Sequence, residues 1–259
     1  MQDGKALQSG TSHLLGSHFT EAFNVKFLDA DGREKFARST SWGVSTRIIG
    51  GIIMTHSDDK GLVLPPKIAP IKVVVIPVYT NDAEKQIIWP SVEKVLARLR
   101  DQNIELKCDD RDLRPGPKFF EWEKKGVPIR IEIGPRDVAD NSVVTVRRDT
   151  GEKQALKLGE LETVVTTMLD DIQSNLYNRA KDLRDSNTKS VKSYDELKKQ
   201  VESGFAEAYW CGNADCEMKI KDETKATIRC IPFDRPEIPG KCVFCGKESS
   251  KTVLFARAY

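Results

Sequence analysis

The stretch Val127-Pro128-Ile129-Arg130-Ile131-Glu132-Ile133 alternates apolar and polar side chains along its length. Successive residues of a β-strand point to opposite faces, so this alternation predicts a strand with one face in a core and one polar face. Upstream, residues 71–79 form an apolar run that predicts a buried strand. Downstream, residues 143–148 predict a further strand, which the turn Asp149-Thr150-Gly151 closes.

Helical segments separate and follow these strands. After the cap candidates Asn81 and Asp82, four apolar residues fall on one helical face, namely Val92, Val95, Leu96 and Leu99. A short strand is expected near residues 104–108. A long helix then carries an apolar stripe made of Leu161, Val164, Val165, Met168, Leu169, Ile172 and Leu176. The alternation predicts an α/β unit, and the polar residues 182–193 predict a linker or an exposed helix end.

The composition is that of a globular chain without a strong overall charge. With 259 residues, 39% of them hydrophobic, the chain can form one large domain or two to three small ones. Its 41 basic and 39 acidic residues give a formal net charge of +2, which excludes nonspecific polyanion binding through a global field. No apolar run approaches the roughly 20 residues that span a bilayer, and the N-terminus lacks a signal peptide. We therefore expect a cytoplasmic protein that does not bind a membrane.

Four of the six cysteines lie in the last fifth of the chain in two close pairs, Cys211 with Cys216 and Cys242 with Cys245. These spacings fit the loops that bring thiolates onto one tetrahedral zinc ion, and four thiolates leave no open position, so the ion would be structural. A set of buried cysteines without metal is the alternative. Cys230 is a possible substitute ligand, although it lies alone in a β-like run, and Cys108 is interpreted as a small core residue.

A second informative stretch is Thr40-Ser41-Trp42-Gly43-Val44-Ser45-Thr46-Arg47-Ile48-Ile49-Gly50. A strand ends at Trp42-Gly43, and hydroxyl residues lead to Arg47 and an apolar helix. A fixed guanidinium beside small residues suits a phosphate or a planar base, because its donors match oxyanions and its plane can stack. The alternative is an arginine that pairs with a surface carboxylate.

This stretch resembles the third signature motif of class II aminoacyl-tRNA synthetases, in the version found in prolyl-tRNA synthetases of the archaeal and eukaryotic-like type. By that resemblance Trp42 and Gly43 wall a proline pocket and Ser41 adds a polar proline contact. Ser45 and Arg47 bind ATP, and Arg47 is the expected catalytic residue.

Nearer the N-terminus, residues 4–13 resemble the same family and include Gln8, Thr11 and His13. The resemblance implies that Gln8 lies toward the ATP ribose and that Thr11 and His13 lie toward proline. If the family resemblance is set aside, His13 is interpreted as a hydrogen-bonded structural histidine. The implied reaction needs no side-chain nucleophile, because the proline carboxylate attacks the α-phosphate of ATP and the protein contributes positioning and charge neutralisation, with Mg²⁺.

A third block, residues 112–137, resembles the anticodon-binding domain of this family. Base reading in RNA favours splayed loops, aromatic stacking and hydrogen bonds to base edges. The resemblance implies anticodon contacts of tRNA-Pro with Phe119, Glu123, Arg130 and Lys153. A solvated strand face at Arg130 and Glu132 is the alternative.

The predicted fold class is therefore α/β and α+β, in three parts. Residues 1–66 are expected to be a partial class II catalytic domain with an antiparallel sheet, residues 67–185 an α/β anticodon-binding domain with a mixed sheet, and residues 186–259 a small α+β zinc-binding domain. The final residue, Tyr259, is expected to have a functional carboxylate.

The resemblance implies a proline-tRNA ligase that uses ATP, proline and tRNA-Pro and is a homodimer when complete. The first and second signature motifs are not found in this sequence, so we expect the 259-residue chain alone to give no pyrophosphate exchange above background. A tRNA-binding module without catalysis is the alternative function, and a zinc-containing α/β scaffold without an RNA role is a third.

Overall fold

The computed structural model describes residues 1–259 and divides into two compact units. One contains Met1, Asp3–Gly51 and Ser190–Tyr259, and the other contains Gln2 and Ile52–Lys189. No helix combines the length and hydrophobicity that crossing a bilayer requires.

The N-terminal segment is built on short antiparallel pairs. Its elements are β1 (Thr11–Gly16), α1 (His18–Ala22), β2 (Lys26–Leu28), β3 (Glu34–Phe36), β4 (Ser39–Gly43) and α2 (Arg47–His56). β1 pairs with β4, and β2 pairs with β3. In the first pair Thr11 lies opposite Gly43, and His13 lies opposite Ser41. The register therefore places these four residues on one face, because directly opposed residues of a β-ladder share a side.

The second unit is an α/β structure around a five-stranded mixed sheet. Its elements are β5 (Val73–Pro77), α3 (Asp82–Asp101), β6 (Leu106–Cys108), α4 (Pro115–Lys124), β7 (Ile129–Ile133), α5 (Pro135–Ala139), β8 (Ser142–Arg147), β9 (Lys153–Lys157) and α6 (Leu161–Asn187). The strand order is β6-β5-β7-β8-β9, with β5 parallel to β6 and β7, and the β7-β8 and β8-β9 pairs antiparallel. The predicted mixed sheet is confirmed.

One face of this sheet forms the main core of the unit. The alternate residues Ile129, Ile131 and Ile133 of β7 are fully buried there, together with the apolar stripes of α3 and α6. The Asn81 side chain caps α3 by accepting a hydrogen bond from the Glu84 backbone N–H, as the sequence predicts. Periodicity therefore located both helices correctly.

The other face of the sheet is only partly apolar. α4 covers β5 there, where Val74 and Ile76 pack with Trp122 and Val127. Arg130 and Glu132 lie beside Val74 and Ile76 in the register, and Glu132 is only 7% exposed. The alternative of a solvated face at Arg130 and Glu132 is therefore wrong, because neighbouring elements cover this part of β7.

The segment before β5 packs on the same unit. Val63 is buried in the main core, and Arg148 donates two hydrogen bonds to the Asp58 carboxylate, at 2.8 and 2.6 Å. Because of these contacts, the compact unit includes residues well before residue 67, the predicted start of the α/β domain.

The last part of the chain is α+β. Its elements are β10 (Thr188–Ser190), α7 (Tyr194–Gln200), β11 (Phe205–Tyr209), α8 (Ala214–Thr224), β12 (Ala226–Cys230), β13 (Gly240–Lys241), β14 (Glu248–Ser249) and β15 (Thr252–Arg257). β11, β15 and β12 are adjacent in one sheet, and Leu197, Ile220 and Phe255 are fully buried in its core. The prediction of a linker or an exposed helix end for residues 182–193 is confirmed, since α6 ends at Asn187 and the two compact units divide between Lys189 and Ser190.

Candidate functional site

A buried aspartate positions α4, the helix that carries Phe119 and Glu123. Asp109 follows β6 and is 2% exposed; its carboxylate accepts hydrogen bonds from Arg111 Nε and Nη2, at 2.8 and 2.7 Å, and from Trp122 Nε1 at 2.7 Å. The buried Lys118 donates to the Asp109 carbonyl at 3.0 Å. Two α4 side chains are thus tied to one point beside the sheet.

Replacing Asp109 with asparagine is expected to destabilise the protein by about 2 kcal/mol at pH 7. The Arg111 guanidinium lowers the pKa of Asp109 to about 2. Because the folded pKa lies below the unfolded value of about 3.9, this stabilisation is present above pH 4 and is lost as the pH falls toward 2. Urea unfolding of both proteins across this range measures the difference.

The neighbouring Asp110 is exposed and provides the matched control, since Asp110→Asn makes the same chemical change without removing buried hydrogen bonds. If the difference in free energy of unfolding between wild type and Asp109→Asn stays constant from pH 6 to about pH 2.5, the stabilising role of the Asp109 carboxylate is contradicted.

Three of the four predicted anticodon contacts converge on the partly covered sheet face. The Arg130 guanidinium lies over the Phe119 ring, 4.3 Å from its centroid. Arg130 Nε donates to Glu132 Oε1 at 3.0 Å, and Lys153 Nζ donates to Glu132 Oε2 at 2.7 Å. In the register Arg130 lies opposite Val146, which lies opposite Lys153, so three adjacent strands bring the charges together. We call Phe119, Arg130, Glu132 and Lys153 the cation cluster.

The fourth predicted contact, Glu123, lies in an open pocket with Arg130. The pocket has a volume of about 290 Å³, and its wall includes Arg147 and the turn Thr150-Gly151. Glu123 forms an ion pair with Lys60 at 3.3 Å. The pocket therefore presents both a carboxylate and a guanidinium to a planar ligand.

The turn Asp149-Thr150-Gly151 at the rim of this pocket is stabilised by hydrogen bonds to the Asp149 side chain. Arg147 forms two hydrogen bonds to the buried Asp149 carboxylate, at 3.0 and 2.9 Å, and Asn175 of α6 donates to the same group at 2.7 Å. These bonds fix the turn that precedes Lys153. Glu132 and Asp149 were not predicted as organising residues; the available signal for Glu132 was a carboxylate two residues from Arg130 on the polar face of the same strand.

The four predicted metal ligands form one cluster. Their sulfur atoms all lie within 4.8 Å of one another, and Cys211 Sγ is 3.7 Å from both Cys216 Sγ and Cys245 Sγ. Tetrahedral zinc with Zn–S distances of about 2.3 Å requires sulfur atoms about 3.8 Å apart. The donor set therefore fits zinc, and no disulfide is formed.

Local structure explains how the cysteines meet. Cys211 follows β11, and Cys216 lies in the first turn of α8, whose cap Asn213 accepts a hydrogen bond from the Asp215 backbone at 2.7 Å. Cys242 and Cys245 lie in the turn between β13 and β14, where Gly246 has a positive φ of 71°. Such a φ suits glycine, which has no Cβ clash there.

The thiols differ in their environments. Burial raises the pKa of Cys216 to about 12, whereas a hydrogen bond from the Lys247 backbone lowers the pKa of Cys245 to about 7. Cys230 is exposed and lies outside the cluster, so it does not substitute for a ligand. Cys108 is half-buried against the α/β core, which agrees with the core interpretation.

The N-terminal segment forms a shallow concavity of about 300 Å³. Five of the predicted ATP-site and proline-site residues line it, namely Gln8, Thr11, Gly43, Ser45 and Arg47. Gln8 Nε2 donates to Thr11 Oγ1 at 3.0 Å, and Ser45 Oγ accepts from the Arg47 backbone at 3.4 Å. Arg47 lines this concavity and forms no ion pair with a carboxylate.

The remaining predicted residues of this segment are distributed differently. His13 and Ser41 lie on the same face of the β1-β4 pair as Thr11. Trp42 lies opposite Ser12, on the other face, is 77% exposed and does not line the concavity. The structure therefore gives no support to Trp42 as a wall of this concavity.

The C-terminal residue lies beside the segment that leads to Gln8. The Tyr259 backbone N–H donates to the Ala6 carbonyl at 3.0 Å, and Ala6 N–H donates to the Arg257 carbonyl at 2.9 Å. These bonds bring the end of the chain close to the start of the concavity.

Two family models match the chain. Residues 194–259 match the model described as "Prolyl-tRNA synthetase, C-terminal", and residues 72–168 match "Anticodon binding domain". A proline-tRNA ligase of Roseiflexus sp. (strain RS-1) is 51% identical over 263 residues, an alignment that covers 100% of this chain and 55% of the relative. This chain belongs to the prolyl-tRNA synthetase family. The predicted family resemblance is confirmed.

Other members of the prolyl-tRNA synthetase family are similarly related. A proline-tRNA ligase of Bacteroides fragilis (strain YCH46) is 50% identical, with 100% of this chain and 53% of the relative covered. Proline-tRNA ligase 2 of Clostridioides difficile (strain 630) is 48% identical, with 100% and 54% covered. The chain spans about half the length of the curated relatives it matches.

The matched regions coincide with the sites in the structure. The anticodon-binding-domain match contains the whole cation cluster and Glu123. The match to the C-terminal region of prolyl-tRNA synthetases contains the four clustered cysteines and Tyr259.

Proposed function

We propose that this chain acts in a proline-tRNA ligase and that its α/β unit recognises the anticodon of tRNA-Pro. The observation that carries the proposal is the cation cluster, which lies within the anticodon-binding-domain match and presents stacked and paired cations beside an open pocket. The identity to proline-tRNA ligases over the whole chain supports the choice of substrate.

The chemistry of the pocket, which Glu123 and Arg130 line, and of the adjoining Phe119 and Lys153 suits guanine. The anticodon of tRNA-Pro contains two adjacent guanines, whose O6 and N7 atoms accept hydrogen bonds from cations such as Arg130 and Lys153. The ring N–H and amino group of guanine donate to a carboxylate, which Glu123 provides. Phe119 supplies an aromatic ring beside Arg130.

In the proposed activation reaction, ATP and proline form prolyl-adenylate, and the prolyl group is then transferred to tRNA-Pro. The residues proposed for this site are Gln8 and Ser45 toward ATP and Thr11, His13, Ser41 and Gly43 toward proline. Arg47 would neutralise charge on the phosphates as the proline carboxylate attacks, together with Mg²⁺ bound to ATP. The shared concavity of Gln8, Thr11, Ser45 and Arg47 supports this assignment.

We also propose that Cys211, Cys216, Cys242 and Cys245 hold a structural zinc ion, which when bound would cross-link the loops after β11 and β13. The sulfur spacing supports this. A functional Tyr259 carboxylate, a cytoplasmic location and homodimeric assembly of the ligase are further proposals, which rest on the family.

A tRNA-binding module without catalysis is the second candidate function. The observation that favours it is the contrast between the cation cluster, where Arg130 and Lys153 are both paired with Glu132, and the open concavity in which Arg47 has no ion pair. Because the 259-residue chain alone is expected to give no pyrophosphate exchange, the upstream reading frame separates the two candidates: a frame that continues through the first and second signature motifs supports the ligase.

Filter binding of tRNA-Pro by the 259-residue chain tests the proposed function. We expect replacement of both anticodon guanines by adenines to weaken binding on the order of 100-fold, because each lost base contact is worth about 1–3 kcal/mol. Equal affinity for both RNAs, measured at the same salt concentration, would remove the anticodon assignment.

A further inference from the structure

A buried carboxylate organises the two cations of the cation cluster. Glu132 Oε1 accepts a hydrogen bond from Arg130 Nε at 3.0 Å and lies 3.0 Å from Arg130 Nη2 in the same ion pair, and Glu132 Oε2 accepts a hydrogen bond from Lys153 Nζ at 2.7 Å. Its side chain is 9% exposed, whereas the Lys153 side chain is 58% exposed. Glu132 is therefore covered from solvent, while Lys153 extends from it toward the open side.

The geometry leaves a defined set of donors free. A guanidinium has five N–H donors in a rigid plane, and Glu132 accepts a hydrogen bond only from the one at Nε. The Nη1 group of Arg130 forms no hydrogen bond within the protein, and Lys153 forms only its bond to Glu132. The Phe119 ring covers one face of the guanidinium. Orientation of the free donors is thus set by one carboxylate and one ring.

We propose that Glu132 is a positioning residue for base recognition, which aligns the free donors of Arg130 and Lys153 without itself contacting the RNA. This inference rests on the proposed anticodon function. Specific base contacts require donors at defined positions, whereas contacts with phosphates tolerate mobile cations. Loss of Glu132 should therefore reduce discrimination between anticodons more than it reduces RNA binding in general.

Electrostatics gives the direction of each effect. Without the Glu132 carboxylate, two cations that share one acceptor repel each other and separate. The net charge of the surface rises by one at the same time, which favours nonspecific binding of RNA. The affinity for the cognate tRNA should fall while the affinity for an anticodon variant stays equal or rises.

The test compares wild type with Glu132→Gln in filter binding of tRNA-Pro and of the RNA in which adenines replace both anticodon guanines. We expect the ratio of the two affinities to fall about tenfold in Glu132→Gln, since a hydrogen bond to a charged group is involved. Circular dichroism and thermal unfolding establish that the variant is folded.

Glu121→Gln is the matched control. Glu121 also pairs with two cations, Arg111 at 2.8 Å and Lys125 at 2.6 Å, but it does not contact the cation cluster. This variant should keep the wild-type affinity ratio. If Glu121→Gln lowers the affinity ratio as much as Glu132→Gln does, the loss of discrimination results from the loss of one negative charge in general, and the proposal is overturned.

Glu132→Asp keeps the charge and draws the carboxylate back by about one C–C bond, roughly 1.5 Å. If Glu132→Gln does not fold, Glu132→Asp replaces it in the test, and its affinity ratio should then be lower than that of wild type. If both variants fold, the affinity ratio of Glu132→Asp should lie between those of wild type and Glu132→Gln.

The outcomes separate the inference from the proposed function. If wild type itself does not discriminate between the RNAs, the anticodon assignment fails. If wild type discriminates and a folded Glu132 variant keeps the full ratio, or loses affinity for both RNAs equally, the positioning role of Glu132 is overturned and the proposed function stands.

Discussion

Replacing Cys245 with serine is expected to remove the metal and unfold the C-terminal α+β part of the chain. Structural zinc contributes on the order of 10 kcal/mol to folding in small domains, and a hydroxyl is a poor replacement for a thiolate ligand. Cys245 is exposed, so the substitution creates no buried cavity and leaves no buried hydroxyl. A large loss of stability can therefore be attributed to the metal site.

Zinc content of the purified protein and its thermal unfolding measure this effect. Cys230→Ser is the matched control, since Cys230 is also an exposed cysteine in the same part of the chain but lies outside the cluster. Wild type and the control should contain one zinc ion per chain, and Cys245→Ser should contain almost none. Equal stability of all three proteins, with no zinc in any of them, would show that the cysteines fold without metal.

Replacing Arg130 with methionine is expected to weaken binding of tRNA-Pro by about 10- to 100-fold, because one bidentate base contact is lost. Methionine is a long apolar side chain that can still pack against Phe119. Lys153 remains to pair with Glu132, so the carboxylate is not left unpaired. Binding of the anticodon-substituted tRNA should change little, since it lacks the contact already.

Arg100→Met controls for the change in charge. Arg100 is exposed at the end of α3, the helix on the opposite sheet face, and its substitution should leave the affinity ratio unchanged. If Arg130→Met weakens the binding of both RNAs by the same factor, Arg130 contacts phosphates instead of bases.

Much of the α/β unit could be predicted because local sequence encodes it. The alternation in residues 127–133 locates β7, and the apolar stripe of α6 identifies the face that packs on the sheet. The cysteine spacing likewise predicted the cluster, since short loops limit where thiols can lie.

The parts that were missed depend on contacts distant in sequence. Alternation shows that Glu132 lies on the polar face, but only the β8-β9 register brings Lys153 beside it. The face of Trp42 follows from which residue of β1 it opposes, and a register shift of one residue reverses that face. Family resemblance implies that Trp42 is a wall of the proline pocket, and this stays a prediction.

The buried polar anchors were missed for a similar reason. Asp109 and Lys118 would be assigned to the surface by composition, since charged residues are buried only when they are paired. Their partners lie on α4 and in the loop before it, so the pairing becomes visible only in the folded structure.

The most direct test of anticodon recognition uses the isolated anticodon stem-loop of tRNA-Pro, which excludes every contact with the acceptor end. Calorimetric titration of the 259-residue chain should show saturable binding of this stem-loop and loss of that binding when adenines replace the two guanines. Equal binding of both stem-loops would contradict the account, because the cation cluster would then recognise the charge and shape of the RNA and not its anticodon bases.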